Sequence, residues 1–274
     1  MSGATKVVGI VGWPVEHSLS PAIHNAAFHA LDLDWAYVPL PVRPGDIDTA
    51  LAGLRALGLV GANVTMPHKR DAMRACQELT EDARLTGAVN TLVTGAEGFA
   101  GHNTDVGGFQ RFLERDAGFD ATGKRALLFG AGGAARAVVL ALSRAGIESV
   151  TIAARDADRG RELAAEIAEW APKLHVRAWD MTGDARPDLV VNASPARQVP
   201  APTVDGEALV VDLVYRPAET SLLQSARAGG ATAFGGLGML LQQAALSFEI
   251  WTGHPAPIDV MSAAALAELA VEPH

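Results

Sequence analysis

Arg125-Ala126-Leu127-Leu128-Phe129-Gly130-Ala131-Gly132-Gly133-Ala134-Ala135 decides the fold of this chain. Ala126 to Phe129 is a short apolar run that suits a buried strand. The glycines follow at once, and an alanine-rich helix then continues to about Ala145, closed by Gly146 in a C′ position. Val150-Thr151-Ile152-Ala153 is the next strand. Strand, glycine turn, helix and strand therefore come in the order of a dinucleotide-binding unit. The pattern is G-x-G-x-x-A, at Gly130, Gly132 and Ala135. Gly130 permits the tight turn, Gly132 removes a Cβ where a pyrophosphate must approach, and Ala135 lets helix pack close to strand. Gly130, Ala131, Gly132, Gly133 and Ala134 are the expected cofactor contacts. A glycine turn that merely joins strand to helix is the alternative, and the flanking elements argue against it.

The end of the second strand chooses the cofactor. NAD binders place an acidic residue there for the ribose hydroxyls, and NADP binders an arginine for the 2′-phosphate. This chain has Ala154-Arg155-Asp156, with Arg159 one helical turn beyond Arg155. Arg155 and Arg159 can clamp one phosphate by charge-assisted bonds. Asp156 could neutralise Arg155 or accept a ribose hydroxyl itself. NADP is the expected cofactor, and NAD the alternative.

Around this unit the chain alternates strand and helix. Val7 to Val11, Trp35 to Leu40 and Leu59 to Val64 read as strands, with helices from Ser20-Pro21 to about Leu31 and from Asp46 to Leu57. Such alternation implies parallel pairing and an α/β fold, with ligands at the carboxyl ends of the strands. A second unit begins near Gly107-Gly108. Helices at Met239–Trp251 and Ile258–Ala270 close the chain.

The 274 residues carry a net charge of −9, with 49% hydrophobic and 19% charged, which is enough for two cores. An acidic surface argues against nucleic acid or anionic membrane as partner. Cys76 is the single cysteine, so neither an internal disulfide nor a cysteine zinc cluster is expected. The N-terminus lacks the apolar core of a signal peptide. The uncharged run from Ala228 to Phe248 raises a transmembrane question, but its five glycines and Gln242-Gln243 suit a loop feeding a buried helix. A reduced cytoplasmic enzyme is expected.

Asn63-Val64-Thr65-Met66-Pro67-His68-Lys69 puts a lysine where a helix would not ask for one. Pro67 suits a first helical turn, which places Lys69 at the positive end of the macrodipole. That end tends to lower a lysine's pKa towards the range useful for proton transfer. Three more polar clusters accompany it: Ser18-Leu19-Ser20-Pro21, Gly87-Ala88-Val89-Asn90-Thr91, and Gly101-His102-Asn103-Thr104-Asp105. Ser20 and Asp105 each also read as helix N-caps, and Asn90 as a turn residue. His17, His24, His68 and His102 lie near these motifs without carboxylate-rich ligand spacing, so no metal site is expected.

With these clusters the chain resembles the shikimate dehydrogenase family over essentially its whole length. The resemblance rests on His17-Ser18-Leu19-Ser20-Pro21 with His24-Asn25, on Asn63 to Lys69, and on Gly87 to Thr91. It continues through Asn103-Thr104-Asp105, Gly130 to Ala134, Asp212-Leu213-Val214-Tyr215-Arg216-Pro217, and Gly238-Met239-Leu240 with Gln243. It implies reversible reduction of 3-dehydroshikimate to shikimate with NADPH, on the way to aromatic amino acids. In proteins similar to this one Lys69 and Asp105 form the catalytic pair. Ser18, Ser20 and Tyr215 hold the substrate carboxylate, while Thr65, Asn90 and Gln243 contact ring hydroxyls. Val214 and Gly236 join the cofactor contacts. The implied fold is two-domain α/β: a substrate domain over 1–106, completed by 238–274, and a Rossmann-type NADP domain over 107–237.

The residue types suit that reaction, because hydride arriving at a ketone carbon leaves an alkoxide to be protonated or stabilised. Two places depart from the family pattern. Its N-R-T is here Ala154-Arg155-Asp156, and its N-A-T-P-x-G-M is Asn192-Ala193-Ser194-Pro195-Ala196-Arg197-Gln198. The rivals are a quinate/shikimate dehydrogenase using NAD, and a non-catalytic nucleotide-binding relative that kept the fold.

Overall fold

In the computed structural model, which describes residues 1–180, 186–204 and 206–271, the chain divides into two units. One is Met1–Thr104 with Leu241–His274, the other Asp105–Leu240. Each carries its own six-stranded sheet.

The first unit runs β1 (Lys6–Gly12), α1 (Ser20–Ala30), β2 (Trp35–Pro41), α2 (Ile47–Ala56), β3 (Gly61–Val64), α3 (Lys69–Arg74), β4 (Cys76–Leu79), α4 (Glu81–Thr86), β5 (Thr91–Thr94) and β6 (Phe99–His102). Ile47, Leu51 and Leu54 recur at helical spacing and bury the inner face of α2 against Val11, Val64 and Leu92. The sheet order is β2-β1-β3-β5-β6-β4. β1 pairs in parallel with β2 and β3, as the alternation of elements implies. The expectation of parallel pairing fails at β5, which is antiparallel to both β3 and β6. β5 and β6 form a hairpin closed by Gly95 N–H donating to Gly98 O at 2.7 Å, and a hairpin needs no crossover helix. Strands of four residues are too short to announce themselves by alternation.

The C-terminal helices α9 (Leu237–Thr252) and α10 (Ile258–Ala270) complete this unit, α10 packing on α1. Trp251 of α9 donates its indole N–H to Leu92 O in β5 at 2.9 Å. That approach needs Gly61 opposite, since a Cβ there would lie 2.1 Å from Leu92 O and 2.6 Å from the indole nitrogen. The uncharged run over 228–248 resolves into the short strand β12 (Thr232–Gly235) and most of α9. Among the described residues no helix is long and apolar enough to cross a membrane.

The second unit opens with α5 (Thr104–Arg111) and a π-helical turn at Phe112–Asp116. β7 (Arg125–Phe129), α6 (Gly133–Arg144), β8 (Ser149–Ala154), α7 (Ala157–Ile167), β9 (Lys173–Ala178), β10 (Leu189–Asn192), β11 (Leu209–Asp212) and α8 (Ser221–Ala228) follow, before β12. The order β12-β11-β10-β7-β8-β9 is parallel throughout. This is the doubly wound dinucleotide order, and the chain reverses direction across the sheet between β7 and β10, where such folds bind ligand. β9 alternates exposed and half-buried positions over Lys173 to Ala178, at the edge of the sheet.

Candidate active site

The first unit builds its site from loops at the carboxyl ends of β1 and β3. Ser18 Oγ accepts the Ser20 N–H at 3.2 Å. α1 is capped by Leu19 without a side-chain bond, so Ser20 is its first residue rather than its N-cap, and Pro21 its second. The Ser20 hydroxyl is thereby free of capping and bonds the Tyr37 phenol. Burial raises the Tyr37 pKa, and the Ser20 hydroxyl opposes that rise.

After β3 the chain passes through Thr65, whose N–H donates to Val11 O at 2.8 Å, and a cis peptide at Met66-Pro67. His68 precedes α3 and holds Val42 O with Nε2 at 2.7 Å. Lys69 is the first residue of a helix only six residues long. Pro67 thus lies before the cap, not in the first turn: the chain turns once more, through the Thr65 O to His68 N–H bond, before it winds. The Lys69 carbonyl accepts the Val89 N–H at 2.9 Å, which ties the start of α3 to the segment carrying Asn90.

Beneath these residues lies a buried polar hub. Asn63 Oδ1 accepts the Tyr37 hydroxyl at 2.8 Å. Its Nδ2 lies 3.1 Å from Asn90 O and 3.0 Å from both Thr91 Oγ1 and Ser247 Oγ. Asn90 Oδ1 accepts the Thr104 N–H at 2.7 Å, and Asn90 Nδ2 donates to Thr104 Oγ1 at 3.0 Å. Ser247 Oγ, within reach of Thr91 and Thr104, also donates to Gln243 O at 3.1 Å. The backbone of Lys69, Asn90, Thr104 and the Gln243 carbonyl are thus referred to one set of hydrogen-bonded groups within the first unit. Asp105 is the second residue of α5 and 7% exposed. Reading Asp105 as an N-cap is therefore corrected, since α5 begins one residue earlier.

His24, fully buried, stacks on Tyr37 at 4.5 Å and meets Phe28, Phe248 and Trp251. Neither ring nitrogen has a hydrogen-bond partner, and burial pushes its pKa down to about 3. Among the described residues no cluster of three or more His, Cys, Asp or Glu is placed to hold a metal.

The second unit shapes its turn from backbone. Gly130, at φ +112°, follows β7, and a Cβ there would lie 3.1 Å from the Ala193 carbonyl. A Cβ on Gly132 would meet nothing within 4 Å, and α6 starts on Gly133 with no side-chain cap. Open space in front of uncapped N–H groups fits a pyrophosphate. Ala135 is fully buried, as close helix packing requires. Asp156 caps α7, Oδ1 accepting the Asp158 N–H at 3.0 Å and the Arg159 N–H at 3.4 Å, with Oδ2 3.9 Å from Arg159 Nε. Arg155 lies over the Trp179 ring at 5.8 Å. Val214 O accepts the Gly236 N–H at 3.2 Å, bringing those two candidates together. Tyr215 follows Val214, its pKa raised by burial and pulled back by the Arg216 charge.

Family models describing the shikimate dehydrogenase substrate binding domain, shikimate / quinate 5-dehydrogenase and the shikimate 5'-dehydrogenase C-terminal domain match residues 10–92, 113–205 and 236–266. A shikimate dehydrogenase (NADP(+)) of Methanopyrus kandleri is 44% identical over 97% of this chain and 96% of its own length. The chain belongs to the shikimate dehydrogenase family. A solved shikimate dehydrogenase in complex with NADP+ matches with a TM-score of 0.91 at 38% identity, over 99% of this chain and 98% of that one. The shikimate 5-dehydrogenase of Thermus thermophilus, solved with NADP(H) and shikimate, gives 0.86 at 35% identity over 96% and 99%.

In this member of the shikimate dehydrogenase family the end of β10, just before Ser194 to Gln198, is firmly held. Asn192 Nδ2 donates to Ala196 O at 3.0 Å and to Asp212 Oδ1 at 2.9 Å, and Asn192 Oδ1 accepts the Ser194 hydroxyl at 2.7 Å. Sequence reasoning did not single out Tyr37 and Ser247, and it took Asn63, Thr91 and Thr104 only as motif members. One signal was available for Asn63: an amide ending a run of small and apolar residues has to be bonded.

Proposed function

We propose that the protein catalyses the reversible NADPH-dependent reduction of 3-dehydroshikimate to shikimate, in the cytoplasm, as a monomer or homodimer. What supports the reading most is the hub that ties the backbone of Lys69, Asn90, Thr104 and the Gln243 carbonyl into one set of hydrogen bonds. The unit containing Ser18 to Asn90 and Gln243 holds the hydroxy acid, and the unit containing Gly130 to Gly236 holds the dinucleotide. Ser18, Ser20 and Tyr215 take the substrate carboxylate, and Thr65, Asn90 and Gln243 the ring hydroxyls. Gly130 to Ala134, with Val214 and Gly236, bind the cofactor's backbone, and Arg155 and Arg159 its 2′-phosphate.

NADPH, when bound, supplies the hydride. The chain's own residues do the rest. The ketone oxygen gathers negative charge, and the Lys69 ammonium gives it a proton while the Asp105 carboxylate orients that ammonium. In the reverse direction Lys69 takes the hydroxyl proton back. Asp156 already uses Oδ1 to cap α7, which leaves it less available to a ribose hydroxyl and favours NADP over NAD.

Spectrophotometric rates crossing shikimate and quinate with NADP and NAD test this directly. Shikimate with NADP should give the highest kcat/KM. A preference for quinate with NAD, or no shikimate-dependent reduction of NADP by pure protein, overturns it.

A further inference from the structure

We propose that Trp179 is a positioning residue for cofactor selection, holding Arg155 ready for the 2′-phosphate. The inference rests on the NADP reading above and adds the residue that makes Arg155 effective.

The sheet register brings the two side chains together. β8 lies between β7 and β9, with Phe129 opposite Ala153 and Ala154 opposite Ala178. Arg155 and Trp179 are the residues next after that last pair, each leaving its strand at the same end of the sheet. The Arg155 guanidinium sits 5.8 Å from the centroid of the Trp179 ring, within cation–π range, for which tryptophan is the best partner. Trp179 is in turn fixed from behind: its ring packs on Phe129, centroids 5.4 Å apart and tilted by 55°. Phe129 is the last residue of β7 and covalently precedes Gly130. A chain of three packed side chains therefore links the glycine turn to the arginine at the end of β8.

A cation–π contact restrains a guanidinium without using up its hydrogen-bond donors, which remain available for the fork that matches a phosphate. An unrestrained arginine would have to give up rotamer freedom on binding; one held over a ring has given up part of it already. Arg159 has less to offer, because its Nε faces Asp156 Oδ2 at 3.9 Å. Arg155 is thus the principal 2′-phosphate ligand, and Trp179 sets its aim.

The test compares 2′,5′-ADP with 5′-AMP, probes that differ by the 2′-phosphate, by calorimetry on the full-length protein. Trp179→Leu keeps an apolar side chain on Phe129 and removes the π face; Trp179→Phe keeps a weaker face. Trp179→Leu should weaken 2′,5′-ADP by about two- to five-fold and leave 5′-AMP unchanged, with Trp179→Phe in between. KM for NADP should rise by the same factor while KM for NAD holds. In an Arg155→Ala background Trp179→Leu should have no further effect on 2′,5′-ADP. Equal weakening of both probes, no change in either, or a full effect persisting without Arg155 overturns the proposal. Native protein that binds the two probes equally would instead sink the NADP reading itself.

Discussion

The two units prepare for their ligands in opposite ways. In the first, side chains face one another: Asn63 alone engages Tyr37, Asn90, Thr91 and Ser247. In the second, the turn after β7 is shaped by what is missing, a Cβ at Gly132 and a side-chain cap on α6. A polar ring with several hydroxyls is recognised by donors and acceptors held in advance, which requires side chains locked by further bonds. A pyrophosphate is recognised by backbone N–H groups, which requires that nothing stand in front of them. The first site should therefore fail when a side chain is removed, and the second when one is added.

The largest effect belongs to Lys69. Lys69→Ala should lower kcat for shikimate oxidation by a factor on the order of 10² to 10⁴, the usual contribution of a positioned proton donor. A variant turning over at near-normal rate would remove Lys69 from the chemistry altogether.

Asn63→Ala attacks the hub itself. It takes partners at once from the Tyr37 hydroxyl, Ser247 Oγ, Thr91 Oγ1 and Asn90 O, in surroundings where Asn63 is 5% exposed. Unsatisfied buried groups cost about 1 to 3 kcal/mol each, and some will find new partners, so a loss of about 3 kcal/mol in urea unfolding is expected. KM for shikimate should rise with it, because Asn90 loses a bond to its backbone. A stability change below about 1 kcal/mol would show that the hub is not the framework of the site.

Gly132→Val is the converse experiment. Its Cβ has open space and its φ of −96° is ordinary for any residue, so folding stability should stay within about 0.5 kcal/mol. Affinity for NADP should fall by about tenfold or more, since the new side chain stands where the pyrophosphate approaches. Thermal unfolding and cofactor titration, run side by side on Asn63→Ala and Gly132→Val, would erase the contrast between the units if both variants lost stability equally.

The contrast also explains what could be read without coordinates. Strand, glycine turn and helix are neighbours in sequence, so Gly130 to Ala135 carries its own context. Lys69, Asn90 and Asp105 sit in short polar clusters that break apolar runs, and such breaks are visible. Ser247 could not be found that way: its partners Thr91 and Asn63 are 156 and 184 residues distant, and a lone serine in an apolar helix has many ordinary explanations. Ser20-Pro21 misled by one position, because serine before proline suits a cap and a first turn alike, and only the backbone, with Leu19 as the cap, separates them. The antiparallel β5 was hidden for a related reason, its pairing being decided by a hairpin turn rather than by its own four residues.

His24 tests whether the first unit's interior is as closed as its hydrogen bonds suggest. Burial among Phe28, Tyr37, Phe248 and Trp251 holds its pKa at about 3 against an ordinary 6.5. Between those values the unfolded chain binds a proton that the folded chain refuses, so stability rises with pH across that window. The contribution is fully present above pH 6.5 and is lost as pH falls towards 3, by about 1.4 kcal/mol per pH unit. Denaturant unfolding followed between about pH 7 and pH 4.5 should show that slope in the native protein. His24→Phe, which fills the same aromatic pocket without a titrating group, should flatten it while leaving stability at neutral pH unchanged or improved, since an unpaired ring N–H is removed. A slope that survives the substitution would place the acid sensitivity elsewhere, and would mean that water reaches this ring despite the aromatic packing around it.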